Sequence, residues 1–162
     1  MIIVSDTSPI SNLILIGQLD LLQQLFQTVI VPPAVDKEIE ALGRLGKDIS
    51  GYENAVWIRL QTPTDNERVS FLKLKLDEGE AEAIALAVEV GCELLLIDER
   101  LGTMAAIDQG LKTLGLIGVL IRAKHEGIIS EIGPILLKLE VVAGFWIGDR
   151  LKERVLNEVN ER

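Results

Sequence analysis

The sequence is poor in several residue types, and each shortage excludes a class of protein. With one cysteine and one histidine, the chain can form no intramolecular disulfide and offers no Cys/His set for a zinc site. No window of about 18 residues is apolar and free of charge, so no membrane span is expected. The opening residues lack the basic and long apolar segments of a secretory signal. We therefore expect a cytoplasmic protein.

Basic residues are also scarce, because 16 Lys and Arg stand against 25 Asp and Glu and the net charge is −9. The overall field of such a chain does not draw it to RNA or DNA, which argues against a protein that simply coats nucleic acid. An enzyme whose carboxylates hold metal ions against a phosphodiester is compatible with this charge. The charge also favours a partner protein that carries a basic segment.

What the sequence does contain is a regular alternation of strand and helix patterns. The 162 residues fit one domain with a sizeable core, and strands that alternate with helices form a parallel sheet covered on both faces. We therefore expect an α/β sandwich of three layers. From about residue 130 the pattern predicts an added helical element, 130–142 and 148–160, that could mediate homodimerisation. The predicted strands are 2–5, 28–31, 56–60, 93–97 and 112–115.

Two acids directly follow predicted buried strands. Asp6 directly follows the strand that opens "MIIVSDTSPISNL", and Asp98 directly follows the strand "ELLLI". Ligand sites of parallel sheets form outside the carboxyl ends of the strands, so both acids are expected at one edge of the sheet. Thr7 or Ser8 is the expected cap of the next helix, with Pro9 in its first turn.

Two further acids lie on predicted helices that could face this edge. Glu38 follows the "VPPAV" step by about one turn, and Glu80 begins an Ala-rich helix on its apolar side, where a carboxylate needs neutralisation. Glu82 is offset on the same helix and is predicted to face solvent. Acids that converge in this way repel one another, and hard divalent ions such as Mg²⁺ or Mn²⁺ suit a site made only of carboxylates.

Four segments resemble the PIN-domain family, and within it the short prokaryotic proteins related to VapC-type toxins. The resemblance runs across almost the whole chain and implies a parallel five-stranded sheet between helices. It also implies an Mg²⁺- or Mn²⁺-dependent ribonuclease that cleaves single-stranded RNA with metal-activated water, is silenced by a small antitoxin protein and commonly forms a homodimer. The segments are "IIVSDTSPISNL" (2–13), "VIVPPAVDKEIE" (29–40), "LDEGEAEAIALAVEVG" (76–91) and "LLLIDER" (94–100).

The resemblance also implies which acids bind metal and catalyse. The third acid is Glu here and Asp in many relatives, and Leu96 stands where many relatives carry Thr or Ser. The residues that match the four acids of the family motif, in order, are Asp6, Glu38, Glu80 and Asp98.

Several polar residues near these acids are candidate substrate contacts. Thr7 or Ser8 resembles the hydroxyl that the family carries beside the first acid, and Asn12 is similarly placed on the helix that follows. Arg100 follows the acidic edge and could contact a substrate phosphate, although a surface salt bridge is an equal alternative.

Each acid also has a purely structural explanation. Asp6 and Asp98 could cap the helices that follow them. Glu38 could lie on a solvated helix face, and Glu80 could stabilise its helix as an acid of the first turn.

Alternatives also exist for the protein as a whole. Trp57 and Trp146 are predicted to be packing anchors rather than a base-stacking platform. The chain could be a PIN-like scaffold or binding protein that is catalytically weak or inactive. It could also be a phosphotransfer enzyme with Asp6 as nucleophile, although Ser8 stands where that chemistry usually has a second acid.

Overall fold

The computed structural model describes residues 1–161. The five strands form one parallel sheet between helices, which confirms the predicted α/β sandwich. They are β1 (Ile3–Ser5), β2 (Val29–Val31), β3 (Ile58–Leu60), β4 (Leu94–Leu96) and β5 (Thr113–Leu114). Their order in the sheet is β3-β2-β1-β4-β5, so β1 and β4 are neighbours at its centre.

Helices fill the connections between the strands and continue past the last one. No helix among residues 1–161 is long and apolar enough to cross a membrane. The helices are α1 (Thr7–Leu15), α2 (Asp20–Phe26), α3 (Pro33–Arg44), α4 (Ser50–Glu53), α5 (Asn66–Leu72), α6 (Glu78–Val90), α7 (Arg100–Asp108), α8 (Leu116–His125), α9 (Gly133–Val141) and α10 (Asp149–Glu158).

The two central strands end side by side. Ser5 is paired with Leu96 in the parallel ladder, and the Asp6 N–H donates to the Leu96 carbonyl over 2.9 Å. β1 is fully buried, as expected for a parallel strand covered on both faces. This register brings the residues after β1 and β4 to one edge of the sheet.

Helix α6 connects this edge to the rest of the core. Its buried face is built largely from fully buried alanines at positions 81, 83, 85 and 87, and it packs against α3, β1 and β4. Asp77 and Glu80 form a capping box at its start, and Gly91 ends it in a left-handed conformation at φ +62°. The small alanine side chains let α6 pack close to the sheet, and the capping box and Gly91 fix where the helix begins and ends.

Three local expectations about this fold are wrong. Helix α1 begins at Thr7, so Asp6 occupies the N-cap position expected for Thr7 or Ser8, and its side chain makes no capping hydrogen bond. Residues 44–54, for which Gly46 and Gly51 predict a loop or a frayed helix end, contain the short helix α4. Trp57 is buried as predicted, whereas Trp146 has 82% of its surface exposed and is not a packing anchor.

Candidate active site

Asp6 is a buried carboxylate at the carboxyl end of β1. Only 4% of its surface is exposed. Burial, together with the charges of Glu80, Asp77 and Glu38, raises its pKa to about 7, although the Thr7 N–H opposes the rise. Because ionisation of a buried acid is costly without a counter-charge, this position is unfavourable for fold stability.

Asp98 lies at the end of the neighbouring strand and is half-buried. Its Oδ1 accepts the Leu116 N–H over 2.9 Å, so it caps α8 and not α7, whose N-cap residue is Glu99. Its Oδ2 is buried without a hydrogen-bond partner in residues 1–161. Burial raises the pKa of Asp98, Glu99 adds to the rise, and the Leu116 N–H opposes it. Capping therefore explains one oxygen of this carboxylate and leaves the other unexplained.

Glu80, like Asp98, has one hydrogen-bonded carboxylate oxygen and one without a partner among the described residues. It is 7% exposed, and its Oε1 accepts the Asp77 N–H over 3.2 Å within the capping box. Its Oε2 is buried and has no partner in the described chain. A Cβ on Gly102 of α7 would lie 2.7 Å from this oxygen, so the glycine makes room for it. Burial raises the pKa of Glu80, and the charges of Asp77 and Glu99 add to the rise.

Glu38 approaches the cluster from α3. The residue is exposed overall, but its carboxylate lies against the start of α6, where a Cβ on Gly79 would overlap its Oε1. Partial burial of the carboxylate raises the pKa of Glu38, the Thr7 hydroxyl opposes the rise, and the charges of Asp77 and Glu78 add to it. Glu38 is therefore the most accessible of the four acids.

Glu82 does not face solvent as expected. It is half-buried, and its Oε1 accepts the Ala34 N–H over 2.9 Å at the start of α3. This bond satisfies one of the backbone donors that a helix leaves free at its N-terminus. Glu82 thus supports the helix that carries Glu38, whereas Glu80 lies in the cluster.

The cluster contains acids beyond the four that match the family motif. Asp77 raises the pKa of Asp6, Glu38 and Glu80, and Glu99 raises that of Glu80 and Asp98. The D-x-x-E spacing of a capping box in "DEGE" signals the position of Asp77, but no helical periodicity marks it as part of a site. None of the ion pairs within residues 1–161 reaches any of the four motif acids.

The donor chemistry of this cluster fits a hard divalent cation. All of its candidate ligands are carboxylate oxygens, and two of those oxygens are buried without partners among residues 1–161. No cationic side chain of the described residues forms an ion pair with them. Mg²⁺ and Mn²⁺ prefer such ligands. Among residues 1–161, however, no three His, Cys, Asp or Glu side chains already have the arrangement of a metal site. Joint ligation by the four acids would therefore need their side chains to move.

The candidate substrate contacts divide into two groups. Ser8, Asn12 and Arg100 line one groove of about 380 Å³ together with Asp98 and Glu99, and the Asn12 Nδ2 donates to Ser8 Oγ over 3.1 Å.

Thr7 stands apart from this group. Its hydroxyl lies near Glu38 on the side of α3, and its Oγ1 is buried without a partner among residues 1–161.

The arrangement agrees with what comparison with known proteins finds. The model of the family DUF3368, a PIN domain, matches residues 2–161. This chain belongs to the PIN-domain family. PIN domains are typically nucleases, and they commonly use divalent metal ions. The resemblance read from the four sequence segments is thereby confirmed.

A solved PIN structure is also similar. It is a PilT N-terminus domain protein, SSO1118, from the hyperthermophilic archaeon Sulfolobus solfataricus P2. Sequence identity is 18% and the TM-score is 0.49, and the alignment covers 74% of this PIN domain and 90% of that chain. The comparison with curated proteins finds no significant match.

Proposed function

We propose that this PIN domain is an Mg²⁺- or Mn²⁺-dependent endoribonuclease that cleaves single-stranded RNA. The observation that carries the proposal is the group of four acids around one sheet edge, which no ion pair within residues 1–161 neutralises. Two of the acids, Asp6 and Glu80, are almost fully buried. One oxygen of Glu80 and one of Asp98 have no hydrogen-bond partner within the described chain. Such a cluster lowers the stability of the fold. Acids in a cleft whose pKa values are strongly shifted are typical of functional sites.

The four acids would hold the metal ion or ions. A bound divalent ion supplies Lewis acidity toward the phosphodiester and lowers the pKa of water. Asp6 and Asp98 are fixed by their places at the ends of β1 and β4, and the Leu116 N–H orients the Asp98 carboxylate. The capping box orients Glu80 in the same way. In this proposal the protein contributes a rigid set of oxygen donors and no nucleophile of its own.

The polar residues of the groove would bind substrate. Arg100 is exposed beside Asp98, and its guanidinium is suited to a phosphate that approaches the acids. Ser8 and Asn12 line the same groove and offer hydrogen bonds. The groove is open, as a single strand of RNA requires.

Cleavage of a single-stranded RNA oligomer tests this function. We expect cut product in Mg²⁺ or Mn²⁺, none in excess chelator, and none from Asp6→Asn or Asp98→Asn. Glu131→Gln is a matched control, because Glu131 is an exposed acid outside the cluster. Metal-dependent cleavage by Asp6→Asn at the rate of the control would refute the assigned role.

We further propose that the nuclease is the toxin of a toxin–antitoxin pair. The net charge of −9 and the acidic edge suit an antitoxin with a basic segment, which would lie over the acids and exclude RNA. Induction of the chain alone should arrest growth of the producing cell, and Asp6→Asn should not. Growth arrest of equal strength by both would remove the toxin proposal and leave the nuclease proposal standing.

A homodimer is part of the same proposal. Helix α9 and the residue after it expose Leu137, Val141 and Val142 by 59–74%, so the predicted C-terminal element has an apolar surface that a second copy would cover. Light scattering should give the mass of two chains for the native protein and of one chain for Val141→Glu.

A catalytically weak scaffold is the second candidate. The lack of a ready-made metal arrangement in residues 1–161 favours it, and its mark would be the absence of Mn²⁺ binding. A phosphotransfer enzyme ranks lower, because Asp6 with its raised pKa is a weak nucleophile near neutral pH. An acyl-phosphate trapped on Asp6 would favour that alternative.

A further inference from the structure

Trp146 is exposed on the surface, although the residues directly before and after it in the chain pack against the core. It has 82% of its surface exposed, while the next residue, Ile147, has 1%. On its other side, the Phe145 N–H donates to the Leu139 carbonyl over 2.8 Å, and Phe145 packs against the core. The indole is therefore held outside the core by an ordered segment. Large apolar rings usually bury most of their surface, so this display is unusual.

The exposed indole lines the groove that contains Asp98. Its lining includes Trp146 and Gly144 together with Asp98, Glu99 and Arg100. An aromatic side chain, a guanidinium and Asp98 of the candidate active site thus border one open groove of about 380 Å³. Aromatic rings and arginine together are the usual means of holding single-stranded nucleic acid.

The charge of the groove makes the aromatic contact more important. Arg100 is the one cation among its lining residues within the described chain, and it stands beside two acids. Phosphate attraction through Lys and Arg, which supplies most of the affinity in basic proteins, is therefore weak here. A substrate must gain affinity from another contact, and a base stacked on the indole supplies one that is independent of charge.

We propose that Trp146 stacks against a nucleobase of the RNA substrate next to the phosphate that Arg100 and the Asp98 edge receive. Trp146 is then a substrate-positioning residue, and it selects for an unpaired base because a base within a duplex has no free face to offer. The inference rests on the proposed ribonuclease function for the identity of the ligand. Stacking itself tolerates any base, so we expect little sequence preference from this contact.

Binding of RNA to a variant that cannot cut it tests the proposal. In the Asp6→Asn background, the affinity for an oligouridylate should fall about 5- to 150-fold in Trp146→Ala, the range that loss of base–aromatic stacking produces. Trp146→Phe keeps a ring and should lose about threefold or less. Phe71→Ala is the matched control, because Phe71 is also an exposed aromatic residue, at 64%, but lies outside this groove.

An abasic oligomer of the same length separates stacking from phosphate binding. It carries the same charge without bases, so Trp146→Ala should leave its affinity unchanged. Oligouridylate should also quench tryptophan fluorescence in the unsubstituted protein and not in Trp146→Phe, where buried Trp57 is the remaining tryptophan. This second readout holds even if Trp146→Ala were to disturb the segment around it.

Three results would overturn the inference: unchanged oligouridylate affinity in Trp146→Ala, an equal loss for the abasic oligomer, or loss of self-association instead of RNA binding. The last would assign the indole to a protein interface. Failure of the ribonuclease proposal looks different, because RNA would then bind and quench Trp146 without being cut by the wild-type chain. Cutting with no role for Trp146 would leave the ribonuclease proposal standing alone.

Discussion

Replacing Asp6 with Asn should stabilise the metal-free protein while it removes activity. Asp6 is 4% exposed, and burial with three neighbouring acids raises its pKa from the ordinary value of 3.8 to about 7. The unfolded chain ionises this group at low cost, whereas the folded chain does not. Asparagine has almost the same shape and no charge, so it removes the penalty.

The size and sign of the effect follow from proton linkage. Below pH 3.8 the carboxyl is protonated in both states and carries no penalty, and as pH rises to about 7 the folded state retains a proton that the unfolded state has lost. Stability therefore falls across this window and is level above it. A rise of the pKa from 3.8 to about 7 corresponds to at most about 4 kcal/mol, and we expect a gain of about 2–4 kcal/mol for Asp6→Asn at about pH 8.

Urea unfolding in the presence of a chelator measures this gain. At about pH 5 the gain should be less than half of that at about pH 8, because most of the ionisation penalty is then absent from the wild type as well. Glu131→Gln should change stability by less than about 0.5 kcal/mol at both pH values. If Asp6→Asn is less stable than the wild type at about pH 8, the claim that this carboxylate is buried at a cost is wrong.

Three further substitutions test other parts of the site. Gly102→Ala places a Cβ 2.7 Å from Oε2 of Glu80. It should weaken Mn²⁺ binding about tenfold in calorimetry, a typical loss when a residue that supports a metal ligand is disturbed. The midpoint of thermal unfolding should stay within a few degrees of the wild-type value. Glu82→Ala frees the Ala34 N–H and should cost about 1–2 kcal/mol in urea unfolding, yet the variant should still cut RNA, and an inactive but folded variant would show that Glu82 belongs to the site. Glu161→Gln weakens the charged cap at the start of α9 and should lower stability by about 1 kcal/mol; an unchanged urea midpoint would show that this contact contributes nothing.

The central part of the fold is predictable because its signals are local and strong. Short apolar runs bounded by turn residues are buried parallel strands here, and the parallel arrangement alone requires Asp6 and Asp98 to emerge at one edge. Their adjacency follows from the pairing of β1 with β4, which the strand pattern does not specify. The family resemblance adds Glu38 and Glu80 by their places in its motif.

The remaining features depend on contacts between elements that are distant in sequence. The position of Glu82 on its own helix predicts that the side chain points away from the sheet. Helical periodicity carries no information about the start of α3, which lies on that side and donates the Ala34 N–H to Glu82. Trp146 is apolar and was therefore expected inside, yet Ile147 fills the neighbouring core position and leaves the indole outside. Asp98 caps α8, which begins 18 residues later in the chain. Each of these outcomes is set by tertiary packing rather than by local pattern.

The most direct test of the proposed metal site is Mn²⁺ binding by calorimetry to the wild type, Asp6→Asn, Asp98→Asn and the Glu131→Gln control. We expect the wild type and the control to bind and both strand-end substitutions to abolish binding, because the two acids come from adjacent strands and belong to one site. A wild-type protein that binds no Mn²⁺, or binding that survives both substitutions, would contradict it and leave the acids as helix caps and buried groups of a scaffold.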